Sequence, residues 1–141
     1  MTSELTGALR AFRDPRNERQ LQLLERSLTS CDPKNLSPTE QRAMLGVFER
    51  FPEEDGFGTF WTILHTLEAS LGYEPLLMQS AHKHPARFNM LMIQRLLAAG
   101  VAEVEGSSLL GVLIEVSQNP LAAAEVKADV SHFLKSQGSG Q

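Results

Sequence analysis

Apolar residues recur at three- and four-residue intervals along almost the whole chain, and strict alternation is nearly missing. Leu5, Leu9 and Phe12 follow one another at i, i+4 and i+7, which predicts a helix over about 3–13. Leu21, Leu24 and Leu28 repeat the stripe and predict a second over 16–30. In "CDPKNLSPTEQRAML", Ser37 precedes Pro38, and Glu40 lies three residues after Ser37. That is a capping box with proline at the first helical position, so a helix should begin at 38. It should run to about Phe51 with Met44, Leu45, Phe48 and Phe51 inward, and break at Pro52 and Gly56. The next helix is expected over 57–71, with Phe57, Phe60, Leu64, Leu67 and Leu71 on one face and Gly72 as its stop. A short helix over 74–83 gathers Leu76, Leu77 and Ser80. After Pro85, "ARFNMLMIQRLLAAG" is apolar nearly all round, the mark of a central helix. "SSLLGVLIEVSQ" at 107–118 is almost as apolar, with Ser107 or Ser108 as its cap, and an amphipathic helix over 121–135 points Val126, Val130, Phe133 and Leu134 inward. Only "GVAEVEGSS" at 100–108 alternates. It is too short to build a sheet alone and is expected as an extended connection.

Proline closes a helix at "FERFP", "AHKHP" and "VSQNP", that is at Pro52, Pro85 and Pro120, 33 and 35 residues apart. A period of that size is what stacked helical hairpins give, each burying its face against the next. The expected fold is therefore all-α: seven to eight helices in stacked antiparallel hairpins, as a HEAT-like short solenoid or an irregular bundle. Residues 1–136 would form one domain and 137–141 a disordered tail.

Composition narrows the function classes. The chain has 141 residues and a net charge of −4, which argues against a nucleic-acid partner because phosphate binding needs clustered Lys and Arg. Arg10, Arg13, Arg16 and Arg19 do cluster near the N-terminus, but at i, i+3 spacing they read as a solvated helix side. No run of about 18 apolar residues is present, so no membrane span is expected. The first residues lack the apolar middle of a secretory signal. Cys31 is the sole cysteine, so no internal disulfide forms and a cytoplasmic location is expected.

Charge is unevenly distributed. Residues 1–52 carry eight Lys/Arg against seven Asp/Glu; residues 53–141 carry five against ten. From Glu53 to His82 there is no Lys or Arg at all, while Glu53, Glu54, Asp55, Glu68 and Glu74 fall inside that window. Phe48, Phe51, Phe57, Phe60, Trp61 and Tyr73 lie in or beside it. Part of the acid has an ordinary explanation, since carboxylates near a helix N-terminus interact well with its dipole. Trp61, His65 and Glu68 succeed one another at i, i+4 and i+7 along one edge of the 57–71 helix. That edge is either packed under the next hairpin or exposed as a binding ridge, and tryptophan is among the residues most enriched at interface hot spots.

Catalytic signatures are missing. There is no G-x-S-x-G nucleophile motif, and "GFG" at 56–58 is too short for a phosphate loop and follows three acids. His82 and His84 flank Lys83, do not share a helix face and are opposed by the lysine. His65 and Glu68 have the spacing used in helical di-metal bundles, but no second such pair faces them. No metal, cofactor or catalytic residue is therefore expected. A helical metal-dependent enzyme using His65 with Glu68 or Glu74 is the weakest of the function classes.

The run D-G-x-G-x-F-W-x-x-L-H-x-x-E (Asp55, Gly56, Gly58, Phe60, Trp61, Leu64, His65, Glu68) resembles small all-helical immunity proteins of bacterial polymorphic-toxin and contact-dependent growth inhibition systems. So do the G-Y-E-P step from Gly72 to Pro75 and the apolar "RLLAAGVAEVEGSSLL" segment. The likeness covers about residues 50–117; the first 45 residues carry no such mark. It implies a non-enzymatic protein, a monomer or weak dimer, that binds and neutralises the C-terminal domain of a cognate toxin. On this basis Glu53, Glu54, Asp55, Phe57, Trp61, His65, Glu68, Tyr73 and Glu74 are the expected partner-binding residues. An acidic surface would steer a basic enzyme toward it. A helical-repeat adaptor gripping another protein or peptide would share the fold and the acid patch.

Overall fold

The computed structural model describes residues 3–139. Eight α-helices make up the described chain: α1 (Glu4–Ala11), α2 (Glu18–Ser30), α3 (Pro38–Arg50), α4 (Thr59–Glu68), α5 (Glu74–Lys83), α6 (Arg87–Ala98), α7 (Leu109–Gln118) and α8 (Ala124–Ser139). Side-chain oxygens close four of their starts. Ser3, Asn17 and Ser108 accept from the backbone N–H groups of Thr6, Gln20 and Gly111. At α3 the capping box forms as expected: the Glu40 N–H donates to Ser37 Oγ (3.1 Å) and the Ser37 N–H to Glu40 Oε1 (2.9 Å).

The helices pair in sequence as four hairpins, and each helix also packs on the one two places on. Thus α1, α3, α5 and α7 follow one another in one layer, and α2, α4, α6 and α8 in the other. The odd-numbered helices begin at residues 4, 38, 74 and 109, a spacing of 34, 36 and 35. Pro52, Pro85 and Pro120 each stand two residues beyond the end of α3, α5 and α7. The proline at each hairpin bend is what the weak repeat in the sequence records.

Between the layers lies one apolar core. Phe12, Phe48, Phe60 and Phe88 stack edge and face through its centre, with ring centroids 5.3–6.4 Å apart. As its apolar sequence implies, α6 is central: it touches α3, α4, α5, α7 and α8 and buries Phe88, Met90, Met92 and Ile93. Polar groups inside are satisfied. Asn89, fully buried, donates to Ser80 Oγ (3.1 Å) and the His84 carbonyl (3.0 Å) and accepts from the Ala86 N–H. Ser80 in turn donates to Glu49 Oε2 (2.6 Å), so α3, α5 and α6 are joined through one network. Buried Gln41 bridges α3 to Ser70 and the Leu71 carbonyl beyond α4.

Two segments depart from the expectation. First, α4 is shorter than 57–71 at both ends, so Phe57 (75 % exposed) and Leu71 (76 % exposed) point to solvent rather than inward. Second, "EVEGSS" folds back on itself: Glu103 pairs with Ser108 and Val104 with Ser107, across a turn in which Glu105 and Gly106 both have positive φ. Two consecutive left-handed residues are what a tight hairpin requires. Of the tail expected over 137–141, residues 137–139 fall within the bounds of α8, and Gly140 and Gln141 lie outside the described residues.

Candidate functional site: the aromatic ridge on the even layer

The turn into α4 is unusual. Asp55 accepts from the Phe57 N–H (3.0 Å), and three consecutive residues then take positive φ: Gly56 (58°), Phe57 (50°) and Gly58 (97°). Gly56 has a local reason, because a Cβ there would lie 2.7 Å from Phe60 Cδ1 in the core. Gly58 caps α4 in the left-handed region, where glycine is cheap. Phe57 has no such excuse. A bulky side chain in the left-handed region costs about 1–2 kcal/mol relative to an ordinary conformation, and this one gains little burial in return. The ring is held out over the surface.

One turn on, Trp61 is 40 % exposed. Its inner edge meets Phe88 of α6 edge-to-face at 5.5 Å, and its outer part lies beside His65 at 5.8 Å. The two readings of this edge are both partly met: Trp61 packs against the next hairpin and still offers a face to solvent. Shallow grooves flank the ridge. Toward α2, Leu21, Gln22, Glu25, Phe57, Thr59 and Thr62 line one of about 720 Å³. Toward α6 and α8, Asp55, Trp61, Arg87, Leu91, Asp129 and His132 line another of about 380 Å³.

The expected residues are only partly brought together. Glu53, Asp55, Phe57, Trp61 and His65 are exposed on or beside the ridge. Tyr73 is not on the surface. It is 6 % exposed in the core, and burial first, then Glu74 and Glu68, push its phenol up to about 12. Glu74 is half-buried in the first turn of α5, next to that ring. Glu68 is held by Arg95 in a two-pronged bridge (2.7 and 2.9 Å), with His65 Nδ1 3.9 Å from the same carboxylate. That hydrogen-bonded bridge, ahead of burial, holds the Arg95 guanidinium above its usual range.

Nor is the acidic window free of positive charge. Arg16 reaches Glu54 (3.1 Å), Arg95 takes Glu68, and Arg87, bridged to Asp129 (2.8 Å), feels the charge of Asp55. All three arginines lie outside residues 53–82 in sequence and are delivered by folding, which no local count can register. Glu53 and Asp55 remain exposed and outside any ion pair among the described residues.

Among the described residues no three of His, Cys, Asp or Glu converge as a metal-holding group, and no helix is long and apolar enough to cross a membrane. His82 instead lies 3.2 Å from Glu115 on α7. The Cys31 thiol donates to the Leu28 carbonyl and is pushed above its usual range by partial burial and then by Glu40, which disfavours the reactive thiolate. Comparison with protein-family models, with curated proteins and with solved structures returns no match.

Proposed function

We propose that this chain is a stoichiometric binding protein of the immunity type, which neutralises the C-terminal domain of a cognate bacterial toxin by docking its even layer onto it. One observation carries the proposal: Phe57 is held at positive φ with its ring exposed, four residues before the half-exposed Trp61, and little burial offsets the conformational cost. Strained residues persist where a function selects them, and large exposed aromatic side chains are enriched at interface hot spots. The partner that fits is a folded protein with an apolar pocket for Phe57 and the outer face of Trp61. Its rim carries Lys or Arg opposite Glu53 and Asp55. Charge contributes less than the sequence suggests, because Glu54 and Glu68 are already paired; the aromatics supply the slow dissociation.

Co-expression with the product of the gene immediately upstream tests this, scored for survival and for co-purification. The expected result is survival with a one-to-one complex. Survival lost on Trp61→Ala, with the variant still folded by circular dichroism, would assign the protection to the ridge. A helical-repeat adaptor would use the same surface, and an upstream product that is harmless when expressed alone would favour it.

A further inference from the structure

The opposite layer carries a second feature that the sequence does not disclose. A groove of about 380 Å³ runs between α1 and α3, lined by Arg10, Arg42 and Arg50 with Thr39, Ala43 and Gly46 and by no carboxylate. A Cβ on Gly46 would meet nothing within 4 Å, so the groove is open at that point. Arg50 is committed to the fold, because its Nη2 donates to the carbonyls of Leu9 (2.9 Å) and Phe12 (3.1 Å) and closes the end of α1. Burial, and then the nearby charge of Arg13, lower its pKa, against a smaller pull from Glu49. Arg10 and Arg42 are not committed in this way. Both are exposed, and no described carboxylate lies within ion-pair distance of either. Arg42 also lines the next groove along, between α3 and α5, with Lys83 and His84. The one carboxylate there, Glu49, already accepts from Ser80. That hydrogen bond leaves Glu49 its charge, so the positive surface without a carboxylate is the groove between α1 and α3, on a chain whose net charge is −4.

Gathering like charges without counter-charges is unfavourable in the free protein, and an anionic occupant relieves it. No Phe, Tyr or Trp lines either groove and the trough between α1 and α3 holds no ring at all, so single-stranded nucleic acid would find no aromatic platform there. A net-acidic chain repels the long charged rod of a duplex. Arginine forks match carboxylates bidentately. We propose that the trough between α1 and α3 binds a carboxylate-rich protein segment, with Arg10 and Arg42 as the gripping forks and Arg50 as a fixed charge at the base. The site lies on the other layer from Trp61 and stands whether or not the partner of the ridge is a toxin.

Fluorescence anisotropy with a labelled oligo-glutamate peptide tests it, with an oligo-glutamine peptide and a thymidine oligonucleotide of equal charge alongside. The expected result is salt-sensitive binding of the oligo-glutamate alone. It should weaken about tenfold or more in Arg10→Glu/Arg42→Glu, since loss of about 1.4 kcal/mol is a factor of ten. The charge-matched Arg19→Glu/Arg26→Glu on α2 should leave it unchanged. Equal losses in the two doubles, tighter binding of the oligonucleotide, or no binding above the oligo-glutamine control would each overturn the proposal. If the reversed double does not fold, Arg10→Gln/Arg42→Gln supplies the same comparison, with at least a threefold loss required.

Discussion

The two layers of this molecule treat their arginines in opposite ways. On the even side of the molecule Arg16, Arg87 and Arg95 each hold a carboxylate, so part of the acid around Trp61 is neutralised, while Phe57 and Trp61 stay exposed. On the odd layer Arg10 and Arg42 line a groove with no acid in it. A chain can thus carry a local excess of acid in sequence and show its least compensated positive charge in space. The lesson is that charge belongs to surfaces, and surfaces here are assembled from helices about 35 residues apart in sequence.

Trp61→Ala is the sharpest break of that comparison. It should cost binding of the ridge partner about 2 kcal/mol or more, measured by titration calorimetry, and leave oligo-glutamate binding on the odd layer untouched. A molecule that lost its helical circular dichroism would instead return Trp61 to the core.

Phe57→Gly and Phe57→Ala separate strain from contact. Glycine relieves a left-handed cost of about 1–2 kcal/mol, and the larger entropy of its unfolded chain takes back about half. Phe57→Gly should therefore be about 0.5–1 kcal/mol more stable than Phe57→Ala in urea unfolding, while both lose ridge binding equally. Equal stabilities would mean that the turn stores no strain.

Reversing Glu53 and Glu54 together with Asp55→Asn, which keeps an oxygen to accept from the Phe57 N–H, should slow association by about tenfold at low salt and flatten its salt dependence, with little effect on dissociation. Because Arg16 pairs with Glu54, most of the change should come from Glu53 and Asp55. Stopped-flow rates unchanged at both salt concentrations would remove steering from the account.

The smallest effect concerns pH. Tyr73 ionises near 12 in the fold and near 10 when unfolded. The folded state keeps its proton over that window while the unfolded chain sheds one. Stability from this group is thus intact below about 10 and lost as pH rises toward 12. Tyr73 is the only tyrosine, so phenolate absorbance reports it alone. A midpoint near 10 with circular dichroism unchanged would put the ring in water.

Much of the fold is legible because it is written locally. The Ser37–Glu40 capping box, the three bend prolines and the apolar stripes of α1, α2 and α6 each need only a few neighbouring residues to be read. Periodicity puts Phe57 and Leu71 inward because it cannot register where a helix stops; left-handed Gly56 and Gly58 delay the start of α4, and its other end falls at Glu68, four residues short of Gly72. Of the site, Trp61 and His65 are legible from spacing. The burial of Tyr73 is not, because an aromatic beside acids looks the same in sequence whether buried or exposed. Arg87, Asp129 and His132, which complete one groove beside Trp61, carry no signal at all in sequence, since only the packing of α4, α6 and α8 makes them neighbours.

The run of stacked rings from Phe12 through Phe60 and Phe88 ends at Trp61, and that is the chain's single indole. The protein therefore carries its own optical gauge. Emission should move to the red when the core loosens and the indole is hydrated, and to the blue when an incoming surface dries its outer face. One unlabelled fluorophore can in this way tell melting from docking by the sign of a wavelength change.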